Sequence, residues 1–228
     1  MQVAAGHDPA DRAIDPFNWY VPVPQPNTDS ECPGTSRSIL EPKAPPRHDW
    51  PDVADVLLVK SVSMAATIRH AQPGDGDAIT RAWLSAGQYY AGIDPGRFQV
   101  PQTEGGAHFW DDHIRQCPAN SLCLVADMDG RVIGFLTARL ILPEPDAAAQ
   151  FTRDQGRTRL AVDALVVMKE NWRHGAGAAL LEAAESWGRA KGAEIVTLDT
   201  YAHSPVSIPF YEQRMGYQRR GIVFDKPL

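Results

Sequence analysis

The stretch NWRHGAGAALL (Asn171–Leu181) sets two glycines, an arginine and a histidine between an apolar run and an alanine-rich segment with helical spacing. The first turn of a helix carries backbone N–H groups without intrahelical partners, and the helix dipole adds partial positive charge. Gly175 and Gly177 keep the approach to those groups open, and Arg173 and His174 add donors. The pattern predicts a site for an anion such as a diphosphate. The alternative is a closely packed turn, because short glycine patterns are weak signals.

Two other phosphate-binding patterns do not fit this stretch. No Gly-Lys-Ser/Thr follows, so it is not a P-loop. It is not a convincing dinucleotide-binding fingerprint either, because the third glycine is missing and the motif lies late in the chain.

A second candidate for chemistry is Asp163, a carboxylate inside the apolar run Ala161–Met168. Burying a carboxylate costs free energy unless the group is paired, hydrogen-bonded or functional. Two interpretations therefore stay open. Asp163 either accepts a proton in a reaction or is a structural residue bonded to a neighbouring strand or to an arginine.

Metal and thiol chemistry find little support in the sequence. The seven histidines are scattered and no cluster has the spacing of metal ligands, so we predict no metal site. Cys117 and Cys123 are interpreted as small buried hydrophobes, because no ordered histidine partner is evident. Three cysteines without a paired framework indicate a reducing compartment.

The scaffold for these residues is predicted by the periodicity after Met64. Alternating and β-branched runs predict strands, apolar residues at helical spacing predict helices, and Asp129-Gly130 predicts a tight hairpin turn. Gly192 is placed to end the main helix. The predicted elements are a strand at Ala66–Ala71, a turn and helix at Pro73–Tyr90, a short helix near His108–Cys117, a hairpin at Asn120–Leu142, a strand at Leu160–Met168, a helix at Gly175–Lys191, a strand at Ala193–Tyr201, a short helix at Pro209–Tyr217 and a closing strand at Tyr217–Phe224. This order predicts an α/β fold with an antiparallel hairpin first and a crossover helix later.

Composition divides the chain of 228 residues near Met64. Ten of the nineteen prolines precede it, and proline at that density removes backbone donors and blocks helix. We predict a disordered or extended arm over residues 1–63 and a folded domain over residues 64–228. The apolar patch Val53–Met64 is the part of the arm that could dock on the domain. A second interpretation takes Met64 as the true start.

The charge and hydropathy of the chain exclude some classes of function. A formal net charge of −6 argues against nucleic acid as the main partner, since phosphate neutralisation needs a basic face. No apolar run approaches the roughly 20 residues that cross a bilayer, and the acidic N-terminus does not fit a signal peptide. We therefore predict a cytoplasmic protein with no membrane partner.

Two motifs resemble the GNAT superfamily of N-acetyltransferases. Its signature, Gln/Arg-x-x-Gly-x-Gly/Ala, stands between the fourth strand and the third helix, and Trp172–Gly177 occupies that place with Trp172 at the Gln/Arg position. FYEQRMGY (Phe210–Tyr217) resembles the C-terminal element of the family. The resemblance covers Ala66–Leu228. It implies a mixed central sheet with an antiparallel N-terminal part and splayed strands 4 and 5, flanked by helices.

The resemblance also implies a reaction, in which an amine attacks the thioester of acetyl-CoA. Tyr211 stands where the family places a tyrosine that protonates the leaving sulfur, and Asp163 lies about where an acid takes the amine proton. His203 and Asp199 are alternatives for the base. The residues expected at acetyl-CoA are Val166, Val167, Met168, Trp172, Arg173, His174, Gly175, Ala176, Gly177, Ala178 and Ser204. An N–H of the fourth strand, that of Val167, is expected to polarise the thioester carbonyl.

The acceptor is not evident from the sequence. In the family it is set by the first two helices and by the loop before the fourth strand, so Tyr89, Tyr90 and Asp111 are candidates to contact it. A small-molecule amine or a protein amine would fit, and a homodimer stays open. The competing hypothesis is a non-catalytic acyl-CoA-binding regulatory module.

Overall fold

Five strands form one mixed sheet in a computed structural model that describes residues 66–226. They follow the spatial order β1 to β5: β1 (Thr67–His70), β2 (Ser121–Met128), β3 (Arg131–Ile141), β4 (Arg159–Val167) and β5 (Ile195–Thr197). The first four strands pair antiparallel, and β5 pairs parallel to β4. The predicted arm, with its apolar patch, lies outside the described residues.

Helices cover both faces of the sheet. They are α1 (Gly76–Ile93), α2 (Gly106–Arg115), α3 (Ala176–Ala190) and α4 (Ser207–Pro209), the last of which continues directly into a π-helical turn (Phe210–Arg214). Short 3₁₀ turns lie at Ala147–Ala149, Arg153–Gly156 and Lys169–Asn171. The predicted mixed sheet flanked by helices is confirmed.

The hairpin between β2 and β3 turns where the sequence predicts it. Asp129 and Gly130 have φ angles of 55° and 76°. Positive φ at both central residues is the conformation of a two-residue type I′ turn, which the Asp-Gly pair favours. The hairpin brings the start of β3 beside the end of β2.

Alternate residues of the strands build two apolar layers. Leu136 on β3 is fully buried in a cluster with Leu180 and Leu181 of α3. Its neighbour Phe135 points to the opposite face, where its ring lies 5.1 Å from that of Trp110 of α2. Burying each such side chain contributes about 1.5–3 kcal/mol to the stability of the folded state, so the apolar layers on both faces stabilise the sheet.

Helix α3 ends as its sequence predicts. Gly192 has a φ of 84°, and its N–H donates to the carbonyl of Arg189 at 3.1 Å. The N–H of Ala193 donates to the carbonyl of Gly188 at 2.9 Å. The two bonds form a Schellman motif, which satisfies carbonyls that the last helical turn would leave unpaired.

Strands β4 and β5 diverge after a short contact. The pairing runs only from Arg159–Ala161 against Ile195–Thr197. Beyond Ala161, the edge of β4 that faces β5 has no strand beside it in the described part of the chain. The predicted splay is therefore confirmed. The strand predicted over Ala193–Tyr201 was too long, because divergence removes the pairing that would extend it.

The closing strand predicted over Tyr217–Phe224 was wrong. This segment has no regular structure, and Ile222, Val223 and Phe224 are 78%, 90% and 87% exposed. Just before them, Arg219 and Arg220 form ion pairs with Glu212 and Asp154. High β-propensity does not make a strand without a partner strand and a buried face.

We expect Gly76→Ala to destabilise the domain. A Cβ atom there would lie 2.2 Å from the Ala107 carbonyl oxygen of α2, and backbone cannot rotate away as a side chain does. Overpacking of this kind costs about 1–3 kcal/mol of unfolding free energy. The matched control is Gly92→Ala in the same helix, where a Cβ meets nothing within 4 Å. Urea unfolding with equal stabilities for the two variants would contradict the close contact of α1 and α2.

Candidate active site

The end of β4 presents backbone groups that do not bond to β3 to the gap between β4 and β5. The N–H of Met168 donates to the carbonyl of Ile133 at 2.9 Å, and Val167 lies opposite Gly134 on β3. Hydrogen-bonded and non-bonded positions alternate along an antiparallel pair. The N–H and carbonyl of Val167 therefore point away from β3, into the gap.

The turn before α3 exposes a row of backbone donors. Arg173 and Gly175 have positive φ angles of 68° and 85°, and the first helical bond runs from the Ala179 N–H to the Gly175 carbonyl at 3.0 Å. The amides of Ala176, Gly177 and Ala178 consequently have no acceptor within the helix. Together with the helix dipole these amides are able to bind an anion, which is the role that the glycines predict.

Gly177 lies where three elements meet. A Cβ atom at this residue would be 3.6 Å from Cζ of Phe210 and 3.7 Å from Cγ2 of Val167. These are ordinary contact distances, so a methyl group fits and a longer side chain does not fit without displacing a neighbour. The start of α3, the end of β4 and the π-helical turn thus enclose one end of the gap.

Trp172 stands at the first position of the family signature, and its indole contacts both the end of β4 and α1. Its indole N–H donates to the Val167 carbonyl at 2.6 Å, and its ring meets that of Tyr89 edge-on at 5.1 Å. The indole therefore ties the turn back to the end of β4. Arg173 and His174 follow with exposed side chains.

Tyr211 lies in the π-helical turn, whose i→i+5 bond runs from the Met215 N–H to the Phe210 carbonyl at 3.0 Å. Turns of this type occur often at functional sites. Burial raises the pKa of the Tyr211 phenol well above its usual range, and the neighbouring Tyr90 and Asp199 raise it further. The phenol is therefore neutral at any physiological pH.

A chain of hydroxyl groups lies beside this turn. The buried Ser204 donates to the Ser207 hydroxyl at 2.9 Å and accepts the Ser207 N–H at 3.1 Å. Tyr90, from the end of α1, has its hydroxyl 3.0 Å from that of Ser207 and 3.5 Å from that of Thr200. Ser204, followed by a proline, is a typical helix start, and this signal was available in the sequence.

The three candidates for acceptor contact are not brought together. The Tyr89 hydroxyl is buried without a partner in the described structure, whereas Tyr90 is bonded to Ser207. Asp111 accepts the N–H groups of Gly74 and Gly76 at 2.8 Å and 3.0 Å, at the opposite end of α1. Fourteen helical residues separate these ends by about 21 Å. Asp111 therefore holds the start of α1, far from Tyr90.

Asp163 lies at a β-bulge. Thr137 and Ala138 of β3 pair with Ala164 and Val162, so that Asp163 is the extra residue. Its carboxylate forms an ion pair with Arg139, and 17% of its side chain is exposed. Of the two interpretations that the sequence left open for Asp163, this ion pair agrees with the one in which the carboxylate is a structural residue bonded to an arginine.

A separate cavity of about 600 Å³ lies between the start of α1, the hairpin tip and the segment after β4. Four of its charged side chains form two ion pairs, Arg69 with Asp75 at 2.7 Å and Arg81 with Asp77. Neither Tyr211 nor Asp163 lines it, although Met168, one of the residues expected at acetyl-CoA, does. We place the candidate site in the gap instead, because unpaired donors face the gap.

Residues 66–226 contain neither a metal-binding cluster nor a membrane-spanning helix. No group of three or more His, Cys, Asp or Glu residues is arranged to hold a metal ion there. None of the helices in that range is long and apolar enough to span a bilayer.

The splayed sheet and the donor-rich turn are the features of an acyltransferase fold, and comparison with known proteins identifies the family. The model of the acetyltransferase (GNAT) family matches residues 90–217, more than half of the chain. The chain belongs to this family, and its class of reaction is acyl transfer.

Solved structures agree with the fold. A mutant of the BH1408 protein of Bacillus halodurans is 18% identical with a TM-score of 0.61, and the match covers 71% of this chain and 99% of that one. A transcriptional regulator of the same organism is 20% identical with a TM-score of 0.54, covering 72% and 99%. An integron cassette protein of Vibrio cholerae is 14% identical with a TM-score of 0.53, covering 72% and 94%. At these identities the likeness concerns the fold alone.

We predict that the Tyr211→Phe variant loses less stability at alkaline pH than the wild type does. The folded state keeps a phenolic proton that the unfolded chain releases near pH 10, so the free energy of unfolding falls as pH rises above that value. Each such group contributes a slope of at most about 1.4 kcal/mol per pH unit. Urea unfolding at pH 9 and pH 11 measures the difference. An equal decline in wild type and Tyr211→Phe would show that the phenol titrates normally.

Proposed function

We propose that the protein transfers an acetyl group from acetyl-CoA to a primary amine. The observation that carries the proposal is the gap beyond Ala161, where β4 leaves β5 and backbone donors from two elements face one space. The confirmed family supports acyl transfer in general. We assign the acyl donor, the acceptor class and the role of each residue on chemical grounds.

The donors suit the charged and polar parts of acetyl-CoA. The amides of Ala176, Gly177 and Ala178 would hold the diphosphate, with Arg173 and His174 beside them. The pantetheine arm would run along Val166, Val167 and Met168 at the open edge of β4. Since Trp172 takes the Val167 carbonyl, the Val167 N–H is the group left to polarise the thioester. Ser204 would contribute indirectly, by starting the helix that leads to Tyr211.

The reaction needs one proton removed and one supplied. An amine nitrogen attacks the thioester carbonyl carbon, the C–S bond breaks, and the departing thiolate gains a proton while the amine loses one. Tyr211 is neutral and hence able to donate to the sulfur. Complete transfer to a thiolate of pKa near 8.5 is uphill for a phenol whose pKa is raised, so hydrogen-bond donation is the contribution that burial favours.

The amine proton has three candidate acceptors. Asp163 is engaged with Arg139, which makes its carboxylate less available as a base. Asp199 is exposed and close enough to Tyr211 to affect its pKa. The exposed His203, whose ring lies 5.4 Å from that of Tyr201, is a further candidate. We assign proton removal to Asp199, directly or through water, and a structural role to Asp163.

The first test is stabilisation by acetyl-CoA. A ligand at a hundredfold excess over its Kd adds about 2.7 kcal/mol to the free energy of unfolding. We expect the melting temperature of the wild type to rise and that of Gly177→Glu to stay constant, since the new carboxylate would occupy the space at the start of α3. The control is Ala190→Glu, which adds the same charge at the other end of α3. No shift in wild type, or a full shift in Gly177→Glu, would contradict the proposed site.

The second test is thiol release from acetyl-CoA with a panel of primary amines. Tyr211→Phe removes one hydroxyl and little volume, so kcat should fall by about tenfold to a thousandfold with unchanged affinity for acetyl-CoA. Asp199→Asn should lower kcat most at low pH, where free amine is scarce. Asp163→Asn should chiefly lower stability, by breaking a partly buried ion pair. A lower kcat at unchanged stability in Asp163→Asn would return the role of base to Asp163.

The same assay decides between a catalyst and a binding module. A non-catalytic acyl-CoA-binding protein would be stabilised by acetyl-CoA and release no thiol with any amine. That pair of results would replace our proposal with the competing hypothesis.

A further inference from the structure

The hydroxyl of Tyr90 links two parts of the proposed site that are far apart in sequence. It lies 3.0 Å from the Ser207 hydroxyl, across 117 positions of the chain. We infer that Tyr90 is a positioning residue for Tyr211, acting through Ser207. This inference rests on the proposed function, because it assigns Tyr90 a part in the donation from Tyr211.

Helical spacing makes Ser207 a suitable anchor. It precedes Tyr211 by four residues, so the two side chains lie near the same face of one helical segment. A bond at Ser207 therefore fixes the face from which the phenol projects. Tyr211 lies in the π-helical turn that continues α4 directly, so the direction of the phenol depends on how the preceding turn is held.

The segment that carries Tyr211 is too short to be stable alone. It has three α-helical residues and a five-residue π-helical turn, and isolated helices shorter than about 12 residues are marginal in water. Ser204 holds its start, and Tyr217 holds its end through an N–H bond to the Tyr211 carbonyl at 2.9 Å. Tyr90 adds an anchor from α1, on the other side of the gap.

Tyr90 is itself held firmly enough to act as an anchor. It belongs to the 18-residue helix α1, and its ring packs 5.1 Å from both Tyr89 and Phe98. The ring of Tyr201 lies at 6.5 Å. The phenol of Tyr90 is also one of the groups that raise the pKa of Tyr211, which places the two close together. The bond from Tyr90 to Ser207, called the tether from here on, thus links a long helix to the segment with the residue proposed to contact sulfur.

The adjacent Tyr89 offers a matched control. Its hydroxyl is buried without a partner in the described structure, and its ring contacts Trp172 on the β4 side of the gap. Tyr89→Phe and Tyr90→Phe remove the same atom from neighbouring residues. Only the second change removes a bond to the segment that carries Tyr211.

The test is a double-mutant cycle with Tyr211→Phe, measured as thiol release with acetyl-CoA and the fastest amine of the panel. Tyr90→Phe should lower kcat roughly threefold to tenfold, the worth of one hydrogen bond, with unchanged affinity for acetyl-CoA. In the Tyr211→Phe background it should have no further effect. Ser207→Ala should reproduce the loss, whereas Tyr89→Phe should combine additively with Tyr211→Phe. The inference would be overturned if Tyr90→Phe lowered kcat by the same factor in the wild type and in Tyr211→Phe. It would also be overturned if Tyr89→Phe and Tyr90→Phe had the same coupling energy with Tyr211→Phe.

A second measurement needs no acceptor and separates this inference from the proposed function. NMR of ring-labelled tyrosine resolves the six tyrosines of the chain, and Tyr211→Phe assigns the signal of Tyr211. Tyr90→Phe and Ser207→Ala should shift that signal, and Tyr89→Phe should leave it in place. If no amine gives thiol release but the signal shifts as expected, the proposed reaction fails while the tether stands. An unshifted signal in Tyr90→Phe refutes the tether whatever the activity.

Discussion

The divergence of β4 from β5 is the constraint on which the rest of the domain depends. A strand edge that loses its partner keeps N–H and carbonyl groups that must be bonded or hydrated. Here the pairing stops at Ala161, and the carbonyl of Val167 is taken by the indole of Trp172. The start of α3, the end of α1 and the π-helical turn all converge on this edge. Opening the sheet thus creates both the space and the donors of the proposed site.

Departures from the family signature are compensated by local contacts. Trp172 stands where Gln or Arg is usual, and its indole N–H binds the strand that leads into the turn. The turn is therefore shaped by a bond within the protein, and under the proposed function the diphosphate would be recognised by backbone amides, which need no particular side chain. Asp163 shows the same principle, since a bulge and Arg139 accommodate a carboxylate within an otherwise apolar strand.

Much of the fold could be predicted from short stretches of the sequence. The elements that depend on pairing between distant parts of the chain could not be predicted in this way. Asp129-Gly130 predicted the hairpin and Gly192 the end of α3, because each pattern requires a backbone conformation that its own residues favour. The length of β5 and the absence of a closing strand depend on partners elsewhere in the chain. At the site, the glycine turn was predictable. The bulge at Asp163 and the bond from Tyr90 to Ser207 were not, because neither leaves a periodic signal.

The two halves of the proposed site depend on different features of the sequence. On the β4 and α3 side, the proposed recognition of acetyl-CoA rests on backbone amides and on glycines that keep them accessible. On the α1 side, the proposed work falls to side chains, namely the hydroxyls of Tyr90, Ser207 and Tyr211 and the carboxylate of Asp199. Under the proposed function the two sides therefore differ in the substitutions they tolerate, since the α3 side needs small residues and the α1 side needs particular hydroxyl and carboxyl groups. Because Tyr90 belongs to α1 and its hydroxyl lies 3.0 Å from that of Ser207, we expect a substitution at the end of α1 to change the position of Tyr211 as well.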